Sequence, residues 1–445
     1  MTGGSRWETE PGGGSRRAPA RASYVRAAVI VSAATLAAGC GGSSSGSTET
    51  AAIARRDSAG LTIVEIPRGV LDALDTRRIA TSPRFTVGAA AGREQEMFGA
   101  VSDATLMPDG RLAVADAQKR RIVVFGTDGA LDRVIGAPGS GAGEFESLYR
   151  IAVIGDTLFV PDLGLFRMQA FTTDGELLGE RTIAGRIGVQ IGIEPHRPGR
   201  WTAPHVYRVL PEGFPSEVDE GDGPHRVLQT MMRYDTLGGR IVDLRETASG
   251  RLVKLSRDEL QTATRAGVSP FPVSSVLPHP LAEKYHGAFL IDQSVIGWSG
   301  VSEVEILTPA GELERIIRFD AARGDVSPRE DRFGEWAVSL HEPSTRPIQR
   351  RAWNVLPRPE PIATFYDLRT GPGGDLWIAV GPEEVERRAP LWTRWLRLDA
   401  DGTPVEWVLT PPLEIIELGP EALLAFEKDD NRVERVAVHA YETAP

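Results

Sequence analysis

DATLMPDGRLAVADAQKRRIVVFGTDGALDRVI, residues 103–135, is followed by a second copy of its own pattern, YRIAVIGDTLFVPDLGLFRMQAFTTDGELLGER, residues 149–181. Asp116 and Asp162 stand 46 positions apart, as do Arg121 and Arg167, Phe125 and Phe171, and the Asp-Gly pairs at 128–129 and 174–175. Four features at one offset define a repeat. Within each copy apolar residues alternate along short runs such as IVVF and MQAF, and an Asp-Gly pair turns the chain into a further run. Asp-Gly between such runs predicts a tight hairpin. The unit reads as a four-stranded antiparallel meander, and meanders recurring at this period are the blades of a β-propeller.

Between the two copies lies GAPGSGAGEF, residues 136–145, with glycines at 136, 139, 141 and 143. A phosphate-binding loop needs a helix N-terminus after it to supply amide donors. This stretch leads into another strand set, so it predicts no nucleotide site. Its counterpart one repeat earlier is GAAAGREQEMF, residues 88–98, with Phe98 and Phe145 47 positions apart. Both stretches end in an aromatic able to plug the core between blades, and the glycines serve tight turns.

The residues VAD-x4-RIVVF-x2-DG and G-x2-GSGAGEF resemble the NHL-type repeat of six-bladed β-propellers, most clearly over residues 85–185. The resemblance implies that Asp116, Arg121, Asp162 and Arg167 tie loops between blades. Second strands are expected at RLAV (111–114), TLFV (157–160), RWTA (200–203), SVIG (294–297), DLWI (375–378) and ALLA (422–425). The series predicts an all-β, six-bladed propeller of four-stranded antiparallel blades, with five or seven blades as alternatives. Gly-Gly (238–239), Ala-Gly (310–311) and Asp-Gly (401–402) fit the outer turns of blades three, four and five. RVAVHAYE near the C-terminus is expected to pair with LTIVEI (61–66), closing the ring with strands from both ends and hiding the sheet edges.

Long spacings before SVIG and DLWI place insertions at about 245–284 and 320–361. SRDELQTATRAG (256–267) carries Ser256 and Glu259 in capping-box spacing. VSPREDRFGEWAVSLHEP (326–343) carries Ser327, Pro328 and Glu330 as cap, first helical residue and third helical residue. Each predicts a short helix, and Phe333, Trp336, Ala337 and Leu340 share one face of the second. The segment 193–226, rich in Pro, Gly and His, reads as an irregular loop.

The chain has 445 residues and a net charge of −11. Its first 39 residues hold five arginines and two glutamates, a charge of +3, so the remainder carries −14. An acidic body lacks the clustered Lys and Arg that phosphate backbones require, which argues against nucleic acid as a partner.

Arg16, Arg17, Arg21 and Arg26 precede a 13-residue apolar run, AAVIVSAATLAAG, that is too short to span a bilayer. The chain's one cysteine, Cys40, comes next. The segment resembles a bacterial lipoprotein signal, with Ala37 where leucine is usual, and implies that Cys40 is lipidated. The expected organisation is a signal peptide over 1–39, a Gly/Ser tether over 40–58 and the propeller over 59–445. SRR at 15–17 hints at twin-arginine export, without the apolar residues that should follow, so the export route stays open. Gly41 after the cysteine favours outer-membrane sorting, facing the periplasm or the cell surface.

Stepping back seven residues from each first hairpin marks the inner-strand position nearest the central channel. The residues are Asp103, Tyr149, Gly192, His286, Asp367 and Glu414. SDATLMPDGRLAVA and YDLRTGPGGDLWIA align without gaps and superpose Asp103 on Asp367. Asp103, His286, Asp367 and Glu414 form a candidate metal-ligand ring at one channel mouth, with Tyr149 beside it. Such an oxygen-rich set suits calcium or manganese better than zinc. In gluconolactonase-like and paraoxonase-like propellers a calcium ion polarises a lactone carbonyl, but their characteristic Asn ligands are not visible here.

The seven histidines show no HxH or HExxH spacing, and GWSG (297–300) lacks the context of a nucleophile elbow. Trp201, Trp298, Trp377, Trp392, Trp395 and Trp407 could stack on sugars, but several fall in blade strands. The sequence therefore favours a cofactor-free binding or scaffold module, anchored to a membrane, for an envelope protein, peptide or glycan. The alternative is a calcium-dependent hydrolase.

Overall fold

A computed structural model of the chain describes residues 52–58, 60–148, 150–162, 164–165, 167–182, 191–192, 206–209, 228–235, 240–248, 252–254, 276–278, 281, 285–289, 293–308, 311–321, 330–340, 346–355, 363–385 and 390–442. The signal segment, Cys40, the helix expected at 256–267 and Tyr149 lie outside the described residues. The chain divides into two compact units, Met1–Glu49 and Thr50–Pro445, and every described residue belongs to the second.

The described residues form six sheets of four or more strands. Blade one runs Val101–Leu106, Leu112–Asp116, Arg121–Phe125 and Leu131–Ile135. Blade two runs Ala152–Ile154, Thr157–Asp162, Arg167–Thr172 and Leu177–Thr182. Blade three is built on Ile191–Gly192, Val206–Val209, Leu228–Asp235 and Arg240–Ala248. Blades four, five and six begin with inner strands Tyr285–Phe289, Asp367–Thr370 and Glu414–Leu418. Five of the six expected second strands are present, at Leu112, Thr157, Ser294, Leu376 and Ala422. In blade three the described strand at this place is Val206–Val209, and residues 200–203 lie outside the described residues.

Strands Leu112–Asp116 and Arg121–Phe125 are buried at every residue. Blades packed on both faces need continuous apolar runs rather than alternation, and β-branched Ile122, Val123 and Val124 supply one. Neighbouring blades share their cores. Leu112, Val123 and Phe125 of blade one pack with Ile416, Leu424 and Val438 of blade six. Ile122, Val124 and Ile135 pack on the other side with Leu158, Val160 and Phe171 of blade two. The same arrangement joins blade five to blade six around Trp377 and Trp395, and blade four to blade five around Ile317 and Leu396. Phe145 is fully buried and meets Phe171 edge-on at 5.9 Å, while Phe98 meets Phe125 at 6.1 Å. The two aromatics at the ends of the glycine-rich stretches thus take the positions expected of them. No helix follows residues 136–145; Ala137–Pro138 pairs in parallel with Glu144–Phe145 instead.

The Asp-Gly turns carry a packing role beyond their shape. Gly129, Gly175 and Gly402 all have φ near +80°. A Cβ on each would strike an outer-strand side chain of the preceding blade: Phe85 at 2.8 Å, Ile135 at 2.9 Å and Ile317 at 2.6 Å. Glycine is required there both by backbone conformation and by blade-on-blade contact.

The N-terminal segment differs from expectation. Leu61–Ile66 does not meet the C-terminal strand; it pairs in parallel with Leu313–Phe319 on the outer side of blade four. Ala54–Ser58, within the stretch read as tether, pairs with Leu61–Ile66. Thr76–Arg78 then adds to blade five in parallel. Phe85–Val87 adds antiparallel to Glu434–Ala440 and completes blade six. Ring closure by both termini is present, but the closing strand is Phe85–Val87. A period-two pattern states that LTIVEI is a strand; it does not name its neighbour.

Helix Glu330–Ser339 buries Phe333, Trp336 and Ala337. Trp336 donates its indole N–H to Thr393 Oγ1 at 3.1 Å and meets Tyr366 edge-on, so this face packs on blade five. Ser327 and Pro328 lie outside the described residues. A further helix, Arg346–Val355, follows.

Candidate functional site

Apart from Tyr149, which lies outside the described residues, the inner-strand positions read from the sequence fall on inner strands, and the two aspartates among them are buried. Asp103 and Asp367 are each 3% exposed. Asp103 Oδ1 accepts the Ala104 N–H at 3.0 Å and Oδ2 accepts the Ile151 N–H at 3.1 Å, with the Arg150 guanidinium 4.0 Å away. Asp367 Oδ1 likewise accepts the Leu368 N–H at 3.0 Å. Its Oδ2 takes Arg369 Nε–H at 3.0 Å, and Arg369 Nη1 donates to the Ile415 carbonyl at 2.8 Å. Both aspartates join their blade to the inner strand of the next.

His286 is 5% exposed, pairs in register with Gly297, and its ring lies 5.0 Å from that of Phe365. Glu414 is half-buried at the head of its strand. Burial lowers the pKa of the Arg346 guanidinium while the charge of Glu414 raises it, which places a cation in the electrostatic reach of Glu414. Gly192 lies in the short inner strand of blade three. Among the described residues no three His, Cys, Asp or Glu side chains are grouped so as to hold a metal. Asp103, His286, Asp367 and Glu414 are therefore not assembled as a ligand set.

The acid that sequence reasoning missed is Glu417. It is 4% exposed, between Ile416 and Leu418. Oε2 lies 2.7 Å from Thr105 Oγ1 and Oε1 accepts the Leu106 N–H at 3.2 Å, both on blade one. Burial raises its pKa from 4.5 to about 7, the two hydrogen bonds oppose the rise, and the charge of Asp103 adds to it. A bulge between Ile415 and Glu417 changes the strand register, so stepping back a constant number of residues could not reach this residue. The readable signal was an acid inside the otherwise apolar run IIEL, residues 415–418.

The repeat's own acids are structural. Asp116 is fully buried and accepts N–H groups from Gly99, Ala100 and Lys119. Asp162, equally buried, accepts those of Glu146, Ser147, Gly164 and Leu165. Arg121 donates to the Glu94 carbonyl and Arg167 to those of Gly141 and Glu144, holding the loops that enter each blade. Trp377, Trp392, Trp395 and Trp407 are at most 7% exposed and offer no stacking platform. Trp298 is half-buried, and Trp201 lies outside the described residues.

These features define the chain's class: a β-propeller of four-stranded antiparallel blades, joined by buried acids. A family model described as a 6-bladed beta-propeller, DUF5128, matches residues 94–184. No curated protein matches the sequence. Among solved structures, a member of the DUF4221 family from Bacteroides vulgatus has a TM-score of 0.38 at 11% identity, covering 82% of this chain and 99% of that one. A Bacteroides fragilis protein named for its expected export has a TM-score of 0.37 at 11% identity, covering 86% and 100%. A calcium-binding regucalcin from Agrobacterium tumefaciens has a TM-score of 0.32 at 10% identity, covering 82% and 96%. Likeness at this level transfers no function.

Proposed function

We propose that this chain is a lipid-anchored, NHL-like propeller of the bacterial envelope, a non-catalytic module that binds or scaffolds a protein, peptide or glycan. Cys40 carries the anchor and residues 41–53 the tether, with the outer membrane as the expected site. The observation that supports the reading is the employment of the inner-strand acids. Asp103 and Asp367 spend their oxygens on backbone and arginine donors between blades, and Glu417 spends its own on Thr105 and Leu106. A rigid ring with its acids so engaged presents loops, not a reactive centre, and a propeller by itself implies no reaction.

The competing reading is a calcium-dependent hydrolase at the channel mouth. It requires Asp103, His286, Asp367 and Glu414 to leave their present neighbours and converge on an ion. Elemental analysis of residues 41–445, with melting in calcium and in chelator, separates the two. The binding module predicts no stoichiometric metal and an unmoved melt. Bound metal with a calcium-raised melt would favour the enzyme, since a ligand specific for the folded state stabilises it. Crosslinking in intact envelopes, followed by capture of this chain, should then recover a bound macromolecule. Palmitate labelling that disappears in Cys40→Ser tests the anchor.

A further inference from the structure

Blade six closes the ring. Its last strand, Glu434–Ala440, is completed by the borrowed strand Phe85–Val87, and its inner strand lies beside Val101–Leu106 of blade one. Glu417 and Thr105, 312 positions apart, meet across this seam at 2.7 Å. Leu106 N–H adds a second bond to Glu417, and Val101 N–H reaches Glu434 at 2.7 Å.

The chemistry of the Glu417 contact is unusual for a buried acid. Among the described residues it has no ion pair with Lys, Arg or His. The charge that acts on it is Asp103 on the blade-one strand, itself 4.0 Å from the Arg150 guanidinium; from the blade-five strand Arg369 reaches the carbonyl of Ile415, two residues before Glu417. Arg369 is already engaged by Asp367 and the Ile415 carbonyl. From its own blade, Glu417 stands opposite Leu424, an apolar neighbour. A hydroxyl rotor serves either protonation state: Thr105 accepts from the acid or donates to the carboxylate. Burial away from any cation, with the charge of Asp103 nearby, favours the protonated form of Glu417.

We propose that the seam between blades six and one is a proton-operated latch. With Glu417 protonated, the inner strands are held by a neutral hydrogen bond. Loss of the proton sets two carboxylates, Glu417 and Asp103, against each other in a buried space and loosens the seam.

The sign follows from burial. Glu417 holds its proton more tightly folded, with a pKa of about 7, than its ordinary value of 4.5. Its contribution to stability is fully present below 4.5, declines as pH rises, and is gone above 7. Seam opening should therefore grow by up to roughly tenfold per pH unit across that window and then level off.

The test is hydrogen exchange at the Leu106 amide from pH 5 to 8 in wild type and in Glu417→Gln, after correction for intrinsic exchange. Protection that falls with pH in wild type and stays flat in Glu417→Gln supports the latch; parallel profiles overturn it. If Glu417→Gln does not fold, infrared titration of wild-type carboxyls decides. A glutamate titrating near pH 7 whose band shifts in Thr105→Val supports the latch. The absence of any carboxyl titrating above pH 6 overturns it. A cation that binds between the two acids and abolishes the pH dependence would also overturn it, by making the pair an ion site.

Discussion

Asp103 and Asp367 hold the same position in blades one and five and make the same first hydrogen bond, to the next residue's N–H at 3.0 Å. They then diverge. Asp103 reaches the Ile151 N–H of the next blade directly, whereas Asp367 acts through Arg369 on the Ile415 carbonyl. Residues 151 and 415 are each 48 positions ahead of their aspartate. The two blades solve one joining problem with a carboxylate alone and with a carboxylate–guanidinium pair.

The difference sets an order of damage. Asp103→Ala leaves buried N–H groups without an acceptor and should cost about 1–3 kcal/mol. Asp367→Ala strands a buried guanidinium and should cost more, about 3–5 kcal/mol. Calorimetry with and without calcium checks both. A melt that calcium raises in wild type but in neither variant would replace the joining role with a metal role.

The repeat aspartates, buried at the ends of their strands, should be highly sensitive to substitution. Asp162 accepts four backbone N–H groups and Asp116 three. Alanine at either should cost about 3 kcal/mol or more, and asparagine less, because one acceptor oxygen survives. Urea melts of the four variants test this; an asparagine variant as damaged as the alanine one would mean that charge, not hydrogen bonding, holds the loop.

Gly175 and Gly155 separate conformation from packing. Both have positive φ, +87° and +57°, but a Cβ at Gly155 meets nothing within 4 Å whereas one at Gly175 meets Ile135 at 2.9 Å. Gly155→Ala should cost about 1 kcal/mol from backbone strain alone. Gly175→Ala should cost about 1–3 kcal/mol more, from crowding blade one. Equal losses would remove the blade-contact explanation for the Asp-Gly turn.

The N-terminal strands are expected to differ in importance. Removing residues up to 60 deletes Ala54–Ser58, which is largely exposed, and should leave the melt within a few degrees of wild type. Removing residues up to 74 also deletes Leu61–Ile66, taking Val64 and Ile66 out of the core and uncovering Ile317 and Phe319. That chain should aggregate or bind a hydrophobic dye. Normal behaviour of the longer deletion would show that the added strand on blade four is dispensable.

Much of the ring was legible in the residues. The offset of 46 located blades one and two, and the Gly-containing turns located the outer hairpins of blades three, four and five. Gapless alignment also paired Asp103 with Asp367. These readings succeed because turn geometry and strand burial are local: Asp-Gly supports a positive φ wherever it stands, and β-branched runs fit a sheet packed on both faces. The reading failed at LTIVEI, whose pattern is blind to its partner.

What the chain determines by itself is the repeat, its strands and its turns, since each depends on residues a few positions apart. Tertiary structure alone decides which blade each N-terminal strand joins and what each acid does. Asp103 becomes a joint because Ile151 offers an N–H 48 residues away, and the pKa of Glu417 is raised because packing that includes blade one, 312 residues distant at Thr105, takes it out of water. Desolvation depends on what packs against a group in space, and no local pattern encodes that.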